Sequence, residues 1–211
     1  MGYPLHDNIG SFGSIPAVVS PMTWTHRPIG VPRGIVVNIV GNTDVDTVAA
    51  VTYGGVPMSR VQFRNVSGEK GSAYTYFLGI SVPVGPQAVV VSFVGSDKHC
   101  GVSSSLTAAN DTFVDVQDGV SSLSLANPFI TLAPTADGWL YGCIFSGVQS
   151  VNKIKPNGGY FTSQEVDFGP NVASFIRATG AVAVVNGPYT PGWQVSADDV
   201  AAVALLVGEV L

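Results

Sequence analysis

The apolar residues of this chain come in short alternating runs, and none of the runs is long. Valine, isoleucine and aromatic residues recur at every second position over short stretches, and glycine or proline then breaks the pattern. A period of two sends successive side chains to opposite faces of an extended strand. The 25 glycines and 14 prolines supply the breaks. A chain written this way folds into many short strands joined by tight turns.

Charge is unusually sparse. Only 11% of the residues are Asp, Glu, Lys or Arg, while 46% are apolar; an ordinary soluble domain carries about 25% charged residues. A free monomer uses charge to stay soluble, so the composition points to a part of an assembly. The net charge of −5 and the nine scattered basic residues provide no basic stripe to follow a phosphate backbone, and no nucleic-acid partner is expected. The start, Met1-Gly2-Tyr3-Pro4-Leu5-His6-Asp7, lacks the basic and apolar regions of a secretory signal. No uncharged apolar run approaches the length of a membrane span, and no membrane association is expected. Two cysteines, Cys100 and Cys143, are too few for a disulfide scaffold and are read as buried thiols in a reducing compartment.

Along the chain, residues 1–33 stand apart. Pro4, Pro16, Pro21, Pro28 and Pro32 recur among glycines, which predicts an extended arm with one short strand at Ala17–Ser20. From Gly34 the pattern is β. Strands are predicted at Gly34–Val40, Val48–Tyr53, Val56–Val61, Ala73–Ser81, Gln87–Val94, Thr112–Val116, Ser121–Leu125, Phe129–Leu132, Gly138–Phe145, Tyr160–Val166 and Ala181–Val185. Gly54-Gly55, between two apolar runs, predicts a two-residue hairpin turn. The last segment, Asp198–Leu211, has helix-forming alanines and leucines, but Val200, Ala202, Ala204 and Leu206 alternate, which favours a strand. Many short strands at roughly 8–12-residue spacing predict an all-β protein, an antiparallel β-sandwich of jelly-roll type. The expected division is an arm over 1–33 and a sandwich domain over 34–211.

Three segments carry a resemblance. Ala49-Ala-Val-Thr-Tyr-Gly-Gly-Val-Pro-Met58, Tyr76-Phe-Leu-Gly-Ile80 and Val82-Pro-Val-Gly-Pro-Gln-Ala-Val-Val-Val-Ser-Phe93 resemble a recurring β-sandwich module of phage virion proteins and bacterial surface proteins. The likeness covers about residues 34–95, with Ala201–Val207 loosely matching the module's closing strand. Its residues are turn glycines and core apolars, so it implies a fold rather than a chemistry. The absence of a secretory signal and the presence of the arm favour the virion version.

The search for chemistry singles out few residues. His99 adjoins Cys100, but neighbours on a strand face opposite ways. Asn42-x-Asp44-x-Asp46 opens like a calcium loop yet lacks the glycine and glutamate that complete one, and reads as a polar turn. Asp111, Asp115 and Asp118 form a second acidic group in which no pair stands out as a hydrolase couple. Trp24, Trp139, Trp193, Tyr74, Tyr76, Tyr141 and Tyr160 are core candidates first and a sugar-stacking platform second. No catalytic, cofactor-binding or metal-ligating residue is assigned, and no enzyme activity is expected. The function expected is that of a phage virion structural protein that decorates or cements the capsid, or forms a minor head component. Its partners would be other virion proteins, such as the major capsid protein, and further copies of itself, with localisation in the virion after assembly in the host cytoplasm. A carbohydrate- or receptor-binding module of a fibre or surface protein is the alternative.

Overall fold

A computed structural model describes residues 4–12, 19–95, 98–147, 152–154, 165–167, 173–180, 192–194 and 197–210. These residues contain strands and no helix. In chain order the strands are β1 (Leu5–Phe12), β2 (Met22–His26), β3 (Gly34–Gly41), β4 (Val48–Tyr53), β5 (Val56–Pro57), β6 (Ser59–Asn65), β7 (Ser72–Leu78) and β8 (Gln87–Phe93). They continue with β9 (His99–Thr107), β10 (Thr112–Leu125), β11 (Gly138–Ser146), β12 (Asn152–Ile154), β13 (Glu165–Asp167), β14 (Ala173–Gly180), β15 (Gly192–Gln194) and β16 (Asp198–Glu209). All named strand pairs are antiparallel.

Three sheets form the body. Sheet I has the order β1-β9-β3-β7-β6, sheet II the order β2-β8-β4-β5, and sheet III the order β10-β16-β11-β14-β13; β12 and β15 form a separate pair. The all-β antiparallel sandwich predicted from the sequence is what the chain forms, with a third sheet added. Sheet I is the middle layer. On β3, Ile35, Val37 and Ile39 pack with Tyr74 and Tyr76 of β7 against Trp24, Val51, Tyr53, Val89 and Val91 of sheet II. The opposite face presents Val36, Val40, Ala73, Val102 and Leu106 to Tyr141, Cys143, Phe145, Val203 and Leu205 of sheet III. Every residue of β3 is therefore buried. Its run Gly-Ile-Val-Val-Asn-Ile-Val-Gly lacks the alternation of a half-solvated strand because both faces meet protein. The outer face of sheet III is covered in turn: Ile144, Val200, Ala202 and Ala204 pack under Ile130, Leu132 and Trp193.

Several elements depart from the sequence expectation. The segment predicted as an arm is extended, yet its described strands pair within the chain. β1 runs along β9, from Leu5 opposite Thr107 to Phe12 opposite Gly101, and β2 runs along β8. The strand predicted at Ala17–Ser20 does not form at Val19 and Ser20; Ala17 and Val18 lie outside the described residues. Thr112–Val116 and Ser121–Leu125 join into the single strand β10, whose register shifts between Val114 and Val116 and between Ser122 and Leu125. The first irregularity accommodates Asp115, and the polar Gln117-Asp118-Gly119 stretch stays in regular register with Leu205, Ala204 and Val203, so the strand does not end. Phe129–Leu132 is a covering loop, tied by an isolated bridge from Phe129 to Gly192. β9 has no alternating apolar pattern and was not predicted. Of the strand predicted at Tyr160–Val166 only Glu165 and Val166 are described, and Ala181–Val185 lies outside the described residues.

Candidate functional site

The residues singled out in the sequence are spread over the molecule. Of the calcium-like trio, Asp46 pairs with Arg60 at 2.6 Å, and the carbonyl of Asp44 accepts from Asn65 Nδ2 at 3.0 Å. The Asp111 group divides three ways. Asp111 faces Arg33 at 3.9 Å, and Asp118 meets Arg64 at 3.2 Å. Asp115 accepts from the Thr135 amide at 2.6 Å, the Ala136 amide at 3.1 Å and the Thr135 hydroxyl. These carboxylates fasten turns and strand edges, and among the described residues no group of His, Cys, Asp and Glu is arranged to hold a metal. Neither Cys100 nor Cys143 is in a disulfide, and both are buried; burial pushes the Cys143 thiol far above its usual range. His99 stacks on Phe93 with centroids 4.3 Å apart, and its Nε2 lies 3.2 Å from Thr47 Oγ1. Tyr74 and Tyr76 share a strand face, and that face is the core. Trp24, Tyr141 and Trp193 are also buried, and Trp139 is half-buried, with its indole donating to the Pro4 carbonyl and its ring beside His6; among the described residues the set is not gathered on one exposed face, and Tyr160 lies outside them.

One buried polar cluster was not legible in the sequence. It lies between sheets I and II, where β1 crosses β2. His26 is fully buried, and its Nδ1 is 2.9 Å from Ser103 Oγ. The same hydroxyl accepts Trp24 Nε1–H at 2.9 Å and donates to the Gly10 carbonyl at 3.2 Å. One turn away, Asp7 accepts from the amides of Ile29 and Gly30, at 2.9 and 3.0 Å, and from Ser105 Oγ at 2.9 Å. Burial lowers the His26 pKa from 6.5 to about 4 against the opposing field of Asp7. Burial, with Asp7 adding to it, pushes the Tyr53 phenol up to about 12. A serine, a histidine and an aspartate thus stand close together, but not as a nucleophilic triad. Ser103 is buried and already bonded, and the imidazole reaches it through Nδ1; the Asp7 carboxylate is occupied by other donors. Proton transfer to a substrate requires an open approach, so the cluster as folded is a structural knot.

The surface has its own pattern. Eleven large hydrophobic side chains are exposed among the described residues, and six of them, Leu5, Ile29, Val31, Ile80, Val84 and Val210, lie at one end. There β1 begins opposite the end of β9, and β3 begins opposite Leu106. Thr112 N donates to the Gly79 carbonyl at 3.3 Å, Val210 N to the Asp111 carbonyl at 2.9 Å, and Gln87 Nε2 to the Val84 carbonyl at 2.7 Å. With Thr112 Oγ1 also donating to the Arg33 carbonyl at 2.7 Å, the loops 27–33, 79–86 and 108–111 are tied together at this end. Ile29 is 81% exposed and Ile80 67%. Apolar patches of a few hundred Å2 are about the largest that monomeric proteins carry, and they are often functional. Compared with known proteins, the chain matches no family model, no curated protein and no solved structure.

Proposed function

We propose that the chain is a structural protein of a phage-type virion, acting as a capsid decoration, cement or minor head component through protein–protein contact. The observation that carries this reading is the apolar end built from Leu5, Ile29, Val31, Ile80, Val84 and Val210, on a chain of which only 11% is charged. Burying that end against a further copy or a neighbouring capsid protein removes its side chains from water, at about 25 cal/mol per Å2 of apolar surface. The three-sheet body carries these loops together at one end, where they can make such a contact. The resemblance of Ala49–Met58 and Val82–Phe93 to the virion module points the same way by analogy of fold.

The test has two arms. Mass spectrometry of particles purified from cells carrying the encoding gene should find the chain at a fixed stoichiometry. The paired substitution Ile29→Asp with Ile80→Asp should abolish incorporation while leaving the thermal transition in place. Particles without the chain, or normal incorporation of the paired variant, would refute the reading.

A further inference from the structure

Two of the three histidines lie on the two N-terminal strands, His6 on β1 and His26 on β2. Both are edge strands, each with one neighbour in its sheet, β9 for β1 and β8 for β2. His26 is where the two strands are joined to the body. Through Ser103 of β9 its ring is linked to Trp24 of its own strand and to the Gly10 carbonyl of β1. The approach is close: a Cβ at Gly10 would lie 3.1 Å from both His26 Nδ1 and Ser103 Oγ.

The Ser103 hydroxyl accepts from Trp24 Nε1–H, and both the Gly10 carbonyl at 3.2 Å and His26 Nδ1 at 2.9 Å lie within reach of it, so Nδ1 faces a hydrogen-bonding partner in either tautomer of the ring. Nε2 is buried and has no hydrogen-bond partner among the described residues, and neither has the Tyr53 hydroxyl; the two rings meet edge-on, 6.0 Å apart. A second proton on this imidazole would place a buried N–H and a full positive charge where nothing bonds them.

We infer that His26 is an acid-operated clasp, which holds β1 and β2 on the body while its ring is neutral and releases the N-terminal segment when the ring takes a proton. The groups around the ring do not compensate a charge there. On β1 the Asp7 carboxylate attracts a proton to the imidazole, but its oxygens are bonded to Ile29 N, Gly30 N and Ser105 Oγ. On β4 the facing group is the neutral Tyr53 phenol. β9 presents Ser103, and the residue opposite His26 on β8 is Gln87; neither carries a charge. Arg27, next in the chain, is exposed and adds positive charge. Desolvation outweighs the Asp7 attraction, and the folded ring ionises near pH 4 instead of 6.5.

In the released segment the ring regains its ordinary basicity, so protons favour release. Stability of the closed form is complete above pH 6.5 and falls as the pH drops towards 4. From these two values the opening constant rises roughly 30-fold between pH 7.5 and pH 5. The strands β8 and β9 would lose their outer neighbours, and the segment would become free to pair with the sheet edge of another molecule. The clasp is a property of the chain alone and goes beyond the assembly reading; its failure would leave that reading standing.

The experiment is amide hydrogen exchange of the full chain from pH 7.5 to pH 5, with rates corrected for the intrinsic pH dependence. Peptides covering 5–12 and 22–26 should open about 30-fold more at pH 5, while peptides covering 34–41 and 198–209 stay protected. The variant His26→Gln should lose this pH response whatever its baseline. In parallel, NMR titration of the wild-type ring decides the matter even if the variant does not fold, because the folded ring should ionise far below its ordinary value. Unchanged protection of β1 and β2 at pH 5, simultaneous loss of protection in β3, a wild-type response in His26→Gln, or a folded ring that titrates near 6.5 would each overturn the clasp.

Discussion

The seam between sheets I and III contains one polar contact whose worth can be worked out and tested. Asn38, on the sheet III side of β3, is buried, and its Oδ1 accepts from Thr75 Oγ1 at 2.7 Å. Its Nδ2 reaches the Gly142 carbonyl of β11 at 3.4 Å, a distance too long to contribute much. The perturbation is Thr75→Val, which exchanges a hydroxyl for a methyl of nearly equal size and leaves no cavity. It strands the Asn38 oxygen in a dry layer, and an unsatisfied buried acceptor costs about 1–3 kcal/mol. For a chain of this size that corresponds to a fall in Tm of roughly 2–4 °C per kcal/mol. Converting both partners, Asn38→Val with Thr75→Val, removes donor and acceptor together, and such an apolar pair is close to neutral. The double variant should therefore recover about 1 kcal/mol or more relative to the sum of the single losses. Urea unfolding followed by tryptophan fluorescence, with m-values checked for constancy, supplies the three free energies. A Thr75→Val variant within about 0.5 kcal/mol of the parent, or strictly additive losses, would refute the argument that this bond is a buried and coupled unit.

Three further outcomes are expected. Gly54 and Gly55 have φ of +56° and +82°, so replacing both by Val should cost on the order of 2 kcal/mol or more, read as a lowered urea midpoint. Thiol titration of denatured, unreduced protein should find both cysteines free, and native Cys143, buried with its pKa raised, should react far more slowly with an alkylating reagent than it does in urea. Deletion of residues 2–28 removes β1 and β2 and bares the edges of β9 and β8, so the truncated chain should melt lower and aggregate more than the full chain; an unchanged melting curve would show that the N-terminal strands add nothing to the body.

The elements that could be read from the sequence are those whose burial comes from one simple rule. The runs 34–40, 48–53, 87–94 and 138–145 are apolar and β-branched or aromatic, and they fold as β3, β4, β8 and β11. The Gly54-Gly55 turn needs only local geometry. β9 could not be read this way. His-Cys-Gly-Val-Ser-Ser-Ser-Leu-Thr has the composition of a loop, yet eight of its nine residues are buried. Its serines tolerate burial because other elements satisfy them: Ser103 meets Trp24, His26 and Gly10, and Ser105 meets Asp7 and Asn8. Nothing local to residues 99–107 signals those partners, since they lie some 75 to 100 positions away along the chain.

The same physics accounts for the N-terminal segment. Five prolines in residues 1–33 keep this stretch from bonding to itself, so its contacts have to come from elsewhere. The partners are foreign to the segment but not to the molecule. The ladder from β1 to β9, the ladder from β2 to β8, the Asp7 cap on Ile29 and Gly30, and the Trp139 indole donating to the Pro4 carbonyl all come from this chain. An edge strand held on one side by a ladder and on its face by a buried imidazole is bound more conditionally than a central strand. It loses one ladder rather than two when it leaves, and one proton bears on the contact that joins it to its neighbour. Packing at home and pairing with another molecule are therefore competing states of the same residues, and the protonation of His26 is the variable by which the chain can pass from the first to the second.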